Sequence, residues 1–169
     1  ETNISSYDCL VPVSGGKNSW YQAWMMKEVF DMKVLCCVIA PHLPTTEGIY
    51  NLNKMLESVG LDTIKITLKP SVIKKFRKKT FIRQGEPNWP EHMTVFAGVT
   101  NVAKIYDIPL IVWGEDVAFE FGGIQNQDSQ SDASDIDKND LIKDKTIDDF
   151  IDDDISKRDT FFYRYPDLK

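Results

Sequence analysis

The sequence lacks the features that would place it in a membrane or around a structural metal. No apolar run approaches the roughly 20 residues of a membrane-spanning helix, and no signal peptide is recognised before the first predicted strand. The three cysteines, Cys9, Cys36 and Cys37, have no C-x-x-C spacing and no nearby set of histidines, which disfavours a zinc site. An odd number of cysteines within predicted strands suits a reducing cytoplasm, so we expect a cytoplasmic protein.

Net charge is also absent from most of the chain. Residues 1–124 hold 13 acidic and 13 basic side chains, whereas residues 125–169 hold 13 Asp and 7 Lys or Arg, so the tail carries the whole net charge of −6. Residues 125–144 are of low complexity and lack apolar periodicity, which predicts a mobile segment. With 169 residues, 42% hydrophobic and 27% charged, the composition is typical of a soluble globular protein.

Strands alternate with helices along the first 113 residues, which predicts an α/β fold with a doubly wound parallel sheet. The predicted strands cover residues 7–13, 34–40, 63–68 and 110–113, and the predicted helices cover 18–32, 47–59, 70–83 and 91–106. The spacing of apolar residues predicts which helix faces are buried. These faces are Tyr21, Met25, Val29 and Met32 in the first helix, Ile49, Leu52, Leu56 and Val59 in the second, and Val72, Ile73 and Phe76 in the third.

The third helix is strongly basic, with five Lys or Arg residues between positions 74 and 79. Two interpretations stay open: a solvated helix face, or a patch for a phosphorylated substrate or a nucleic-acid backbone. The aromatic residues 160–165 predict either a strand or a segment that docks elsewhere.

The stretch from Tyr7 to Ser19, YDCLVPVSGGKNS, organises the rest of the chain. An apolar run ends at Ser14-Gly15-Gly16, and an amphipathic segment follows, which predicts a strand, a tight turn and a helix start. Glycines allow the backbone to turn sharply and to approach a ligand closely. The free N–H groups of a helix N-terminus stabilise an anion such as a phosphate. The glycines are adjacent, so the loop is neither a Walker A motif nor G-x-G-x-x-G.

This loop resembles the pyrophosphate loop (PP-loop) of the ATP pyrophosphatases, usually written S-G-G-x-D-S, at five of six positions. The exception is Asn18, which caps a helix as well as Asp does but supplies no carboxylate for Mg²⁺. Longer stretches resemble one branch of that family, the N-acetyl sugar amidotransferases. They are residues 45–62, 85–116 (GEPNWPEHMTVFAGVTNVAKIYDIPLIVWGED), 121–123 (FGG) and 159–167 (DTFFYRYPD).

The resemblance implies an adenine-nucleotide alpha-hydrolase-like sheet of strand order 3-2-1-4, optionally with a fifth strand, and it implies the use of ATP and Mg²⁺. Members of this branch adenylate the amide oxygen of an N-acetylated nucleotide sugar and release pyrophosphate. Ammonia from a separate glutaminase-type subunit then displaces AMP and leaves an acetamidino group. Such enzymes typically serve bacterial surface-polysaccharide synthesis. For this chain we expect no membrane partner, and a nucleic-acid partner is disfavoured.

The resemblance also assigns roles by position. The pyrophosphate would be held by Ser14, Gly15, Gly16, Lys17, Asn18 and Ser19, of which Lys17, Asn18 and Ser19 are the catalytic candidates. Val13, Ile39 and Ala40 would flank the adenine or ribose. Glu115 and Asp116 are candidates for Mg²⁺ or for orienting the substrate, and their other interpretation is a capped acidic turn.

We therefore predict a PP-loop nucleotide-binding domain over residues 1–124, an acidic mobile linker over 125–145 and a C-terminal docking segment over 146–169. The family has a cysteine-rich segment before the first strand and a long region afterwards. Neither is present, so the chain is interpreted as an internal fragment or a shortened relative. Two other functions stay open: a PP-loop enzyme that modifies tRNA, and a non-catalytic ATP-binding module.

Overall fold

The computed structural model of the chain describes residues 6–114 and 146–166. They form two compact units: unit 1 comprises residues 6–67 and 101–114, and unit 2 comprises residues 68–100 and 146–166. The predicted alternation of strands and helices is confirmed. The elements in chain order are β1 (Cys9–Pro12), α1 (Lys17–Glu28), β2 (Val34–Ile39), α2 (Thr46–Val59), β3 (Asp62–Ile66), α3 (Pro70–Gln84), α4 (Trp89–Ile105) and two 3₁₀ helices, η1 (Ile147–Phe150) and η2 (Lys157–Tyr163).

Unit 1 is built on a parallel sheet in which β2 lies between β1 and β3. In register, Cys9 pairs with Val34 and Leu35 pairs with Asp62. Residues 34–38 of β2 are all buried, as expected of a central parallel strand that is covered on both faces. The hydrophobic core of unit 1 combines β1 and β2 with α1 and α2. Its buried members are Cys9, Val11, Val13, Ala23, Met26, Val34, Cys36, Val38, Met55 and Val59.

The segment predicted as a fourth strand forms only a single parallel bridge, between Ile111 and Leu10 of β1. The Leu10 N–H donates to the Leu110 carbonyl at 2.8 Å, and the Val112 N–H donates to the Leu10 carbonyl at 2.9 Å. The next bond of this ladder would need an N–H at Pro12, which proline lacks. Residues 110–113 therefore lie beside β1 without forming a strand, and the four-stranded order 3-2-1-4 stays a prediction.

The buried face of α1 differs from the predicted face. Tyr21 and Val29 are exposed, whereas Ser19, Ala23 and Met26 are buried. Small side chains at the first two of these positions let the start of the helix lie close to the sheet, directly after the glycine turn. The predicted stripe was wrong at Tyr21 and Val29, whereas Met25 and Met32 are half-buried and pack against the core. Because α1 has large apolar side chains on several sides, apolarity alone did not identify its buried face.

The ends of the first two helices show how sequence sets their length. The helix α1 ends at Glu28, four residues before the prediction, and Asp31 adopts the left-handed region with a φ of 52°. Asp is among the residues that tolerate this conformation, which closes a helix. The predicted stop at Gly60 is confirmed by its φ of 60°, but Ile49 of α2 is exposed rather than buried.

Unit 2 packs α3 and the first part of α4 against the C-terminal segment, defined here as residues 146–166. The predicted inward residues of α3, Val72, Ile73 and Phe76, are buried. Residues 157–163 form η2 rather than a strand. The core joins the three elements through Val72, Ile73, Phe76, Trp89, Met93, Ile147, Phe150, Ile155 and Tyr163.

Four basic side chains at α3 contact the C-terminal segment instead of being fully solvated. Within the described residues, Lys74 and Lys78 are exposed and have no ion pair. Exposed pairs contribute about 1 kcal/mol or less each, so the apolar core supplies most of the stability of this packing. The contacts are Lys69 with Asp159 (3.2 Å), Lys75 with Asp154 (3.2 Å), Lys79 with the Asp152 carboxylate and Arg83 with the Asp149 carbonyl.

Several predictions fall outside the described residues. These are the candidate Mg²⁺ ligands Glu115 and Asp116, the stretch 121–123 and the linker 125–145. The domain boundaries likewise stay predictions. Within residues 6–114 and 146–166, no helix combines the length and the apolar character needed to cross a bilayer.

We predict that Phe150→Ala lowers the free energy of unfolding by about 3–5 kcal/mol, because it opens a cavity among packed aromatic rings. Phe150 is 1% exposed, and its ring centroid lies 5.2 Å from that of Phe76 and 5.1 Å from that of Trp89. The matched control is Phe161→Ala, because Phe161 is 53% exposed. Urea unfolding measures both, and an equal loss in the two variants would contradict the described packing.

Candidate phosphate-binding site

The turn between β1 and α1 is held to the sheet at its strand end by a backbone hydrogen bond. The Val13 N–H donates to the Cys37 carbonyl at 2.9 Å, which keeps the end of β1 aligned with β2. Gly15 then adopts a φ of 87°, and α1 begins at Lys17. The predicted strand, glycine turn and helix start are therefore confirmed.

Position 15 requires glycine for two reasons: its backbone has a positive φ, and the backbone of α2 leaves no room for a side chain. A Cβ at this position would lie 2.9 Å from both the Cα and the backbone N of Leu52, in α2. A backbone atom of a packed helix cannot move aside easily. The sequence suggested that glycine allows a close approach to a ligand, and the structure shows a close approach to α2. A Cβ at Gly16, by contrast, would meet only the Ser14 hydroxyl oxygen, at 3.5 Å.

The Ser19 side chain bridges two residues of the turn by hydrogen bonds. Its buried hydroxyl donates to the Gly16 carbonyl at 3.1 Å and accepts from the Ser14 N–H at 3.3 Å. This side chain holds the loop in shape, and its catalytic role stays a prediction. The other two catalytic candidates, Lys17 and Asn18, are exposed at the first two positions of α1.

The N-terminus of α1 offers uncapped backbone donors. The Trp20 N–H donates to the Gly16 carbonyl at 3.1 Å, so the helix ladder begins there, and the N–H groups before it have no partner within the helix. Gly16 is the N-cap residue and provides no side-chain bond, and the first turn carries no acidic residue. The positive end of the helix dipole therefore meets no negative side chain of the first turn, which favours an anionic ligand.

The candidates for adenine and ribose follow the ends of neighbouring strands. Pro12 pairs with Cys37 in the sheet, so Val13 and Ile39 both belong to its carboxyl edge. Ile39 and Ala40 are half-buried, and the Ala40 N–H donates to the Ile66 carbonyl at 2.8 Å. Val13 is buried in the core, so its side chain supports the edge from beneath.

Sequence reasoning missed the contact between Gln22 of α1 and the segment that ends at Gly114. The Gln22 side-chain Nε2 donates to the Trp113 carbonyl at 2.6 Å. A Cβ on Gly114 would lie 3.0 Å from the Gln22 Oε1 and 3.8 Å from the Ser19 backbone N. Gln22 follows Ser19 by three positions, which places both on one helix face, but no local pattern indicated its distant partner.

Within the described residues, no group of three or more His, Cys, Asp or Glu could hold a metal ion. The three thiols are also unsuited to catalysis or to metal binding, because only thiolates act in these roles. Burial raises the pKa of Cys9 to about 11 and that of Cys36 and Cys37 to about 12. All three therefore stay protonated at neutral pH, and all three are buried residues of the hydrophobic core.

The chain resembles known proteins in structure and not in sequence. No protein-family model matches it, and no curated protein matches its sequence. A solved structure of NMN synthetase from Francisella tularensis is similar with a TM-score of 0.54 and 14% sequence identity, covering 69% of this chain and 48% of that chain. The chain thus spans about half the length of that protein. Together with the parallel sheet, this likeness fits the adenine-nucleotide alpha-hydrolase-like fold that the loop resemblance implies.

We predict that Gly15→Ala destabilises the protein more than Gly60→Ala does. Both glycines have positive φ, which costs a residue with a Cβ about 1–2 kcal/mol. A Cβ on Gly60 meets nothing within 4 Å, whereas on Gly15 it collides with the Leu52 backbone. The collision adds about 1–3 kcal/mol for overpacking. Chemical denaturation measures the difference, and equal losses would contradict the packing of α2 on the turn.

Proposed function

We propose that the chain binds ATP at the turn formed by residues 14–19 and serves an ATP-pyrophosphatase-type amidotransferase. The observation that carries the proposal is the uncapped N-terminus of α1, which follows a glycine turn at the carboxyl edge of a parallel sheet. The likeness in fold to NMN synthetase supports an enzyme of this fold, and the loop sequence supports the use of ATP. The loop sequence and the four longer stretches described above support the amidotransferase branch.

The proposed reaction has two steps. The amide oxygen of an N-acetylated nucleotide sugar attacks the α-phosphorus of ATP, the bond to the β-phosphate oxygen breaks, and pyrophosphate leaves. Ammonia then attacks the amide carbon, the bond to the AMP oxygen breaks, and loss of a proton gives the acetamidino group. Activation is needed because an amide oxygen is a poor leaving group and AMP is a good one.

The residues of the turn would act on the departing pyrophosphate. The backbone N–H groups at residues 16–19 are fixed before the ligand arrives, so they stabilise growing negative charge without reorganising. Lys17 is exposed at the first position of the helix and adds a mobile cation. Mg²⁺ would neutralise further phosphate charge, and Glu115 and Asp116 are its proposed ligands. A glutaminase-type subunit is the proposed source of ammonia.

A non-catalytic ATP-binding module is the second candidate, and Asn18 favours it. The residue is exposed in the first turn of α1, where no acidic side chain is present. The loop thus lacks the carboxylate that the ATP pyrophosphatases usually have at this position. An RNA-modifying enzyme is less favoured, because four cations at α3 contact the C-terminal segment instead of lying free for a phosphate backbone.

The direct test is calorimetric titration with α,β-methylene ATP, followed by pyrophosphate release from ATP with ammonia and a panel of N-acetylated nucleotide sugars. We predict saturable binding that Lys17→Met weakens about tenfold, which corresponds to the loss of one charge-assisted hydrogen bond. Lys54→Met is the control, because Lys54 is an exposed lysine of α2 that pairs with Glu57. Pyrophosphate release should depend on the sugar.

Each other outcome has a defined meaning for this proposal. No binding of the ATP analogue would contradict it entirely. Binding without pyrophosphate release, even with ammonia and a glutaminase partner supplied, would leave the non-catalytic module. Release that requires RNA and not the sugar would favour a tRNA-modifying enzyme.

We further predict that Asn18→Asp raises the rate of pyrophosphate release about a hundredfold, the size of effect expected for one group that stabilises the transition state. The new carboxylate would supply the Mg²⁺ ligand that the loop lacks. Asn51→Asp is the control, because it adds the same charge at an exposed position of α2. Mg²⁺-dependent release assays compare the variants, and an unchanged rate would show that residue 18 does not contact the metal.

A further inference from the structure

The outer face of α1 consists of aromatic side chains, where a surface helix normally turns polar side chains to water. Tyr21 is 53% exposed and Trp24 is 37% exposed, and both lie across the helix from the buried Ala23. A helix that is apolar on opposite faces is typically covered on both of them. The exposed aromatic face therefore indicates that α1 has a partner on its outer side.

Three rings on this face form one group, which we call the aromatic cluster: Trp20, Tyr21 and Trp24. The Trp24 ring stacks on both of the others, with centroid distances of 6.4 Å to Trp20 and 5.9 Å to Tyr21. The Trp20 indole N–H donates to the Ser58 hydroxyl of α2 at 3.1 Å, which anchors the cluster. Rings that are ordered in advance lose less entropy on binding, and Trp and Tyr are among the residues that most often supply binding energy.

Charged side chains of opposite sign flank the aromatic cluster on the same helix face. Lys17, Tyr21, Trp24 and Glu28 follow one another at spacings of four, three and four residues, which is the spacing of the contact seam in paired helices. Lys17 is exposed and has no ion pair within the part of the chain that the structure describes. Glu28 is also exposed and lies about 16 Å further along the helix axis.

This face is complementary to itself when two copies of α1 pack antiparallel. A two-fold axis that crosses the helix midway between Tyr21 and Trp24 exchanges these two positions, and it also exchanges positions 17 and 28. Lys17 then lies opposite Glu28 of the partner subunit, and Tyr21 lies opposite Trp24 of the partner subunit. A parallel arrangement would place like charges opposite each other, which is unfavourable.

We propose that the aromatic cluster and its flanking charges form a self-complementary interface, through which two copies of this chain pair by packing their α1 helices antiparallel. The rings supply most of the affinity, because exposed ion pairs contribute little, and the charges set the orientation. A single helix face offers less than the roughly 800 Å² per partner of a standard interface. We therefore expect a weak dimer, with a dissociation constant on the order of 10 µM.

The pairing goes beyond the proposed function and does not depend on it. Lys17 is also the proposed cation of the phosphate site, so a bound triphosphate and Glu28 of the partner subunit would compete for its side chain. The aromatic contacts do not involve Lys17. We therefore expect the dimer to form with or without nucleotide.

The test is sedimentation equilibrium of the full chain at concentrations from about 1 µM to about 200 µM, at low ionic strength because salt screens exposed ion pairs. We expect the wild-type protein to form a dimer and Trp24→Ala to raise its dissociation constant at least about tenfold, as is typical of a central aromatic residue of an interface. Phe81→Ala is the matched control, because Phe81 is an exposed aromatic residue of α3, and its dissociation constant should equal that of the wild type.

Charge reversal tests the orientation and keeps the proposal testable should Trp24→Ala not fold. Glu28→Lys alone and Lys17→Glu alone each place like charges opposite each other at both ends of the interface, and each should weaken the dimer about tenfold. The double variant restores opposite charges, so its dissociation constant should return to within a factor of about three of the wild type. Lys65→Glu is the control, because it reverses an exposed charge on β3.

A wild-type chain that stays monomeric up to about 200 µM would overturn the proposal. A dimer that tolerates Trp24→Ala would overturn it as well, because the chain would then pair through another surface. Single reversals that weaken the dimer without recovery in the double variant would show that the antiparallel arrangement is wrong. None of these results bears on ATP binding, which the calorimetric titration decides separately.

Discussion

The contact between Gly15 and the backbone of Leu52 constrains the rest of unit 1. The turn after β1 must adopt a positive φ, and α2 approaches it so closely that no side chain fits. This packing sets where α1 begins and thus where its free N–H groups lie. Ser19 closes the arrangement from within by bonding Ser14 and Gly16. The proposed phosphate site is therefore fixed by packing before any ligand binds.

The first three strands, the turn and most helix ends could be predicted from local pattern. Residues 34–38 form a continuous apolar run because a central parallel strand is covered on both faces. Gly60 ends α2 because the chain needs a left-handed residue there. Such signals depend on residues close together in the sequence, so a single sequence contains them. The alternation of strands and helices gave the fold class for the same reason.

The errors came from contacts between residues far apart in the sequence. The buried residues of α1 are Ser19, Ala23 and Met26. Close packing of the helix on the sheet favours these side chains on the buried face, and larger apolar side chains of the same helix lie on its exposed face. Gln22 is an ordinary helix residue until its bond to the Trp113 carbonyl is seen. The basic character of α3 had two interpretations, and neither included the acidic C-terminal segment that contacts it. The fourth strand failed at Pro12, whose missing N–H matters only once the pairing partner is known.

The central claim is that the main-chain amides at the start of α1 bind a triphosphate. Amide NMR of the ¹⁵N-labelled chain, titrated with α,β-methylene ATP, tests it most directly. The claim predicts saturable shifts at the amides of residues 15–19, with an unchanged amide at Gly60, a glycine of positive φ at the C-terminal end of α2. Saturable shifts confined to other residues, with the amides of residues 15–19 unmoved, would contradict it.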